Sequence, residues 1–175
     1  MQILPPQPAD YGFYNNYFLL APKTELTAAL QANMDEIKAF ALKLSEEELA
    51  HRYAEGKWSI KEIFAHFLDA ERNFCYRILR ISRGDKAALP PIDIHSFVLN
   101  ANAANRSISD IIAELEHLRA ATILMFRGMT AEMLDLEGPA RDITISSRAL
   151  GYTLVGHGLH HLAIIRERYL VADEV

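Results

Sequence analysis

Four stretches of this chain repeat apolar residues at the spacing of a helix, and no stretch shows the sustained alternation and turn signals of a β-hairpin. The first is capped by Thr24 and runs to about Lys43, with Leu26, Leu30, Ile37, Phe40 and Leu44 recurring along it. A second opens at the capping box Ser59–Glu62, in which hydroxyl and carboxylate satisfy opposite backbone donors, and should reach Ser82. Ser107 or Ser109 can cap a third, whose stripe includes Ile111, Leu115, Leu118, Ile123 and Phe126 before Gly128 ends it. Serines also precede the fourth, expected from Ser147 to Leu170. Amphipathic helices of this length must cover one another's apolar faces, so the chain is expected to be an all-α four-helix bundle.

The connectors should hold short extra helices: a capped turn at Ser45–Glu48, and a short helix in "IHSFVLNANAANRS" fading near Asn105. "DITIS" alone hints at extended structure. Pro5, Pro6 and Pro8 make an irregular start, and Tyr11, Phe13, Tyr14, Tyr17 and Phe18 are expected to pack across one end of the core. With 175 residues, half of them hydrophobic, one buried core and one domain over residues 1–175 are expected.

Charge and cysteine narrow the function. The formal charge is 18 − 23 = −5, which argues against nucleic acid or an anionic membrane as the partner. Arg72, Arg77, Arg80, Arg83 and Lys86 gather at one helix end, where cations complement the helix dipole. Cys75 is the sole cysteine, so an internal disulfide and a Cys-rich zinc site are excluded, and a reducing cytoplasm is expected. Its apolar neighbours suggest a buried, inert thiol. The N-terminal segment lacks a basic n-region and a long apolar run, so neither a secretory leader nor a membrane span is expected.

The fourth helix contains "GHGLHHLAIIRERY" from Gly156. His157 and His161 are four residues apart and therefore stand one turn above the other on a single, largely inward face. A lone histidine on such a face is ordinarily a satisfied core residue. Two burial penalties on adjacent turns are harder to explain structurally, whereas one shared cation accounts for both. His160, turned about 60° from His157 on a 3.6-residue helix, belongs at the margin of such a site or in solvent.

A third ligand should come from another helix, and His66 in "EIFAHFLDAER" is the best placed, with Ile63 and Ala70 beside it. His51, His95 and His117 lie in connectors or among glutamates and are read as surface. Glu62, Asp69 and Asn73 share the face of His66 and could orient an imidazole or a water, or simply line a groove. The glutamate that a zinc protease needs after its first histidine is here Gly158, so that chemistry is excluded. No nucleophile elbow, P-loop or dinucleotide fingerprint occurs.

In order along the chain, "YFLLAP", "GKWSIKEIFAHFLDAERNFCYRI" with Trp58 and Ser59 just before the histidine helix, "LRAATILMFRGMTAEMLD" and "GYTLVGHGLHHLAIIRERYL" resemble the DinB-like (DinB/YfiT) superfamily over nearly the whole length. The resemblance implies an up-down-down-up bundle with one divalent metal on three histidines, at positions matching His66, His157 and His161. Trp58 and His160 would then border the site. Family resemblance also implies a transferase that activates a low-molecular-weight thiol, or water, for attack on a small electrophile. Three imidazoles would leave coordination positions open for that nucleophile, and Zn, Ni, Fe and Mn all suit them. A metal-dependent hydrolase and a non-catalytic metal-binding stress-response protein are the alternatives. Self-association into a homodimer through bundle faces is compatible with such helices.

Overall fold

The computed structural model describes residues 1–7 and 9–170, so Pro8 of the irregular start and residues 171–175 of the expected domain lie outside the described residues. A 3-10 turn at Gly12–Tyr14 leads into α1 (Asn15–Phe18). Then follow α2 (Leu26–Ala41), α3 (Glu46–Ala50), α4 (Ile60–Ser82), α5 (Ile94–Leu99), α6 (Ile108–Arg127) and α7 (Ala131–Asp135). A hairpin of β1 (Glu137–Ala140) and β2 (Ile143–Ser146) precedes α8 (Ser147–Ile164). The long helices α2, α4, α6 and α8 form a four-helix bundle in which α2 and α4 each pack on both α6 and α8.

Local chemistry explains most of these boundaries. Ser59 accepts from the Glu62 backbone while the Glu62 carboxylate accepts from Ser59 N, which makes the capping box at α4 reciprocal. Ser45 and Glu48 repeat the arrangement at α3, and Ser107 caps α6. Thr24 does not cap α2. Glu25 does, its carboxylate accepting from Ala28 N at 2.8 Å and from the Thr27 hydroxyl, while the Thr24 carbonyl accepts from the buried Tyr152 hydroxyl. The helix also stops at Ala41 rather than Lys43, and the last helix is capped by Ser146 and loosens into a π-turn at Ile165–Tyr169.

The hairpin is a further departure from the all-helical expectation. Its second strand is the extended stretch expected at "DITIS", whereas β1 carries no such signal; the four-residue strands are held by pairing with each other and by packing on α4. The two-residue link Arg141–Asp142 places Arg141 at φ +58°, a conformation that ordinarily favours glycine.

Two apolar clusters fill the bundle, one around Leu26, Phe126 and Tyr152, the other around Ile37, Phe64 and Leu115. Each fully buried Leu, Ile or Phe contributes about 1.5–3 kcal/mol, enough collectively to offset a few buried polar groups. One such group is Glu71, which accepts from Arg119 Nε and Nη2 at 2.9 Å each and from the Thr122 hydroxyl at 2.7 Å. Cys75 is half-buried rather than fully so. Its Sγ meets Thr122 Oγ1 at 3.0 Å, and burial pushes the thiol up to about 12, as befits an inert residue. Among the described residues no helix is long and apolar enough to cross a membrane.

Candidate metal centre

His66 reaches the bundle axis from α4, and His157 and His161 reach it from α8, where Phe67 of one apolar cluster and Phe74 of the other flank the His157 ring. The Nε2 of His157 lies 3.1 Å from the Nε2 of His66 and 3.1 Å from that of His161. All three rings offer nitrogens within 4.8 Å of one another. His66 and His157 are buried, and His161 is half-buried at the opening.

The tight approach is poorly explained by hydrogen bonding among the rings alone. A ring nitrogen either donates or accepts, so His157 Nε2 cannot donate to both neighbours, and charging a ring here is opposed by its surroundings. Burial lowers the His66 imidazole to about 4. Burial, then the neighbouring His66 and His160, lowers His161 to about 3, and burial drives His157 well below the ordinary range. These rings are therefore neutral bases with their lone pairs available, the protonation state a metal ligand requires. Two nitrogens about 2.0–2.1 Å from one tetrahedral ion lie roughly 3.3 Å apart, close to the spacing found. The donor set therefore fits a divalent metal.

Trp58, Asp69 and Asn73 line the cavity into which the triad opens, as does each of the three histidines. Its volume is about 470 Å³. Trp58 packs at 5.2 Å from the His66 ring and donates from Nε1 to His95 Nδ1, which ties the exposed His95 to the rim. Asp69 stands one turn beyond His66, its carboxyl raised mainly by burial, with Glu114 adding to the rise and Arg72 opposing it.

Glu62 plays a different part from the one its spacing suggested. Its carboxylate is held by Arg52 through two contacts of 2.6 Å and by the Ser59 backbone, so it closes the start of α4 and does not orient an imidazole. The buried Nδ1 of His66 has no hydrogen-bond partner among the described residues. His160 sits at the margin, its ring 5.2 Å from both Tyr17 and His161.

Residues that sequence reasoning passed over complete the walls. Tyr17 of α1 packs edge-on to His157 at 5.2 Å, so the aromatic opening segment walls the site instead of merely covering one end of the core. This is possible because Gly156 lets the chain approach: a Cβ there would stand 1.8 Å from the Tyr17 carbonyl oxygen. Gly158 has a similar role toward Asn33. Phe13, Tyr14 and Phe74 extend the aromatic lining, Pro90, Ile92 and Phe97 also line the cavity, and Arg77 and Arg141 bring positive charge. Arg77 shares the face of His66, Asp69 and Asn73 at eleven residues' separation, a spacing that could have marked it.

A model of the DinB superfamily matches residues 29–165. Two curated relatives, from Geobacillus thermodenitrificans and Bacillus pumilus, both bear the name "Putative metal-dependent hydrolase". They are 28% and 29% identical, over 81% and 75% of this chain and 80% and 76% of their own lengths. YfiT from Bacillus subtilis, described as a probable metal-dependent hydrolase with an unusual four-helix bundle topology, aligns with a TM-score of 0.70 at 18% identity, over 93% of this chain and 89% of its own. A mycothiol-dependent maleylpyruvate isomerase aligns at 0.64 and 11% identity, over 78% of this chain and 58% of its own. At these identities the two structures speak to the fold. With the family match spanning most of its length, the chain belongs to the DinB superfamily.

Proposed function

We propose that this chain, a single domain over residues 1–175, is a metal-dependent enzyme that holds one divalent ion on His66, His157 and His161 and uses a low-molecular-weight thiol or water to attack a small electrophile. The observation that carries this reading is the convergence of three neutral imidazoles at an open cavity of about 470 Å³. A metal serving only structure would be closed off by protein ligands, whereas this triad faces space large enough for a small molecule. Bound there, a divalent ion would supply a Lewis acid that favours the deprotonated form of a thiol or water beside it.

The protein's own groups do the rest. Trp58, Tyr17 and Phe74 exclude water and present flat apolar surface to the substrate. Asp69 lines the same cavity and could accept the proton of a water nucleophile, which favours hydrolysis as the second reading alongside the names of the curated relatives. The likeness in fold to a mycothiol-dependent isomerase supports the thiol reading. A reducing cytoplasmic setting, expected of a chain with a single cysteine, suits either.

Elemental analysis of protein purified without added metal should find about one equivalent of a transition metal. The metal-loaded protein should then be assayed with small thiols plus 1-chloro-2,4-dinitrobenzene, and with p-nitrophenyl esters for hydrolysis. Turnover lost on chelation and in His161→Ala supports the proposal, and the substrate pair that turns over separates thiol from water. Rates unchanged by both treatments would overturn it.

A further inference from the structure

Arg77 and Arg141 enter the cavity from separate elements, and the hairpin brings them together. Arg77 Nη1 donates to the carbonyl of Pro139 at 3.2 Å, two residues before Arg141. The Arg141 guanidinium lies over the Phe13 ring, 4.3 Å from its centroid, at the aromatic wall. Among the described residues Arg77, Arg83, Arg127, Arg141 and Arg168 have no carboxylate within ion-pair distance, and of these Arg77 and Arg141 line the cavity. Both act on the buried Tyr14 hydroxyl, whose pKa is raised, mainly by burial and further by Asp142, while Arg77 and then Arg141 oppose the rise.

Two further facts mark this end of the cavity. Arg141 stands at φ +58° because the two-residue hairpin link requires it, and this exposed turn position is what sets its side chain at the cavity wall. The charge is also set well away from the histidines. From His66 to Arg77 is eleven residues, or about 16 Å of helix axis, shortened somewhat because helical side chains lean toward the N-terminus. Opposing carboxylates are Asp69, nearer the triad, and the exposed Asp142, so a singly charged group suits this end better than a doubly charged one.

We propose that Arg77 and Arg141 form a carboxylate-recognition end of the cavity, so that its ligand is an elongated small molecule with an apolar or aromatic body and one carboxylate held away from the reacting end. The inference rests on the proposed metal-dependent reading for what happens at the other end, but recognition itself does not. The carboxylate can belong to the electrophile or to the thiol. Guanidinium groups beside aromatic rings suit it because they pair with carboxylates in a planar fork and stack on aromatic faces.

Trp58 is the sole tryptophan and lines this cavity, so its fluorescence reports binding without turnover. We would titrate 4-phenylbutyrate and its uncharged amide into both the metal-free and the metal-loaded protein. The carboxylate should bind about tenfold more tightly than the amide in both forms. Arg77→Gln and Arg141→Gly, the latter a residue the turn accepts, should each remove most of that preference and leave the amide unaffected, with circular dichroism unchanged. A preference that appears only with metal and survives both substitutions would assign the carboxylate to the ion and overturn the proposal, as would equal affinity for acid and amide. Preference in the metal-free protein with no metal-dependent turnover would sink the reading of the triad and leave this one standing. In a protein with turnover, a KM raised about tenfold by Arg141→Gly for the electrophile or for the thiol identifies which of them carries the carboxylate.

Discussion

His66 and His157 are ninety-one residues apart in the chain, and their Nε2 atoms are 3.1 Å apart in the bundle. That contact joins α4 to α8 at the seam between the two apolar clusters, and with His161 it gives three converging donors. If they bind one ion, His157→Ala should weaken binding at least about a hundredfold, more than loss of an outer hydrogen-bond partner of a ligand ordinarily costs. Competition with a chromogenic chelator measures it. His160→Ala, at the margin, should change affinity little. Equal losses in the two variants would refute the assignment.

The depressed basicity of the same rings predicts an acid-sensitive metal-free protein. In the unfolded chain each imidazole titrates near 6.5, while in the fold burial holds His66 at about 4 and His161 at about 3. Between those values the unfolded chain binds more protons. Stability is therefore whole above about pH 6.5 and declines as pH falls toward the folded values, by about 1.4 kcal/mol per pH unit for each ring. Urea denaturation of metal-free protein should show a midpoint dropping steeply between about pH 6 and pH 4. His161→Ala should flatten that slope, and a wild-type midpoint constant over this range would contradict the account.

Gly156 and Gly158 should differ in their tolerance of a methyl group. At Gly156 the added Cβ meets backbone, 1.8 Å from the Tyr17 carbonyl oxygen, so α1 must move away from α8. Gly156→Ala should cost about 1–3 kcal/mol or more and disturb the wall at His157. At Gly158 the nearest atom is Asn33 Oδ1 at 2.5 Å, the end of a buried side chain whose one contact there is a long 3.3 Å bond from Arg119, so a side chain and not backbone must give way and Gly158→Ala should cost less. Thermal melts of the two variants give the comparison.

Glu71 and Arg119 are almost wholly buried, at 1% and 3% side-chain exposure. Removing one partner strands the other charge, so Glu71→Leu or Arg119→Met alone should cost about 3–5 kcal/mol, whereas the double replacement should be markedly milder than the sum of the two. Chemical denaturation of the three variants closes that cycle.

Local rules already determine much of this protein. The capping boxes at Ser45 and Ser59 and the caps at Ser107 and Ser146 depend on residues three apart, and the His157–His161 pair depends on one helical turn, so neither needs a distant partner to be read. Only the tertiary structure decided what α4 and α8 face. Glu62 was spaced to serve His66, yet Arg52 claims its carboxylate; Arg77 looked like a cation answering a helix dipole, yet it turns into the cavity beside Arg141. Tyr17 reaches His157 because Gly156 permits it, and the four-residue strands that carry Arg141 gain their order from each other and from α4. Such contacts join segments far apart in sequence, and their free energy comes from burial and pairing that exist only once the helices have assembled.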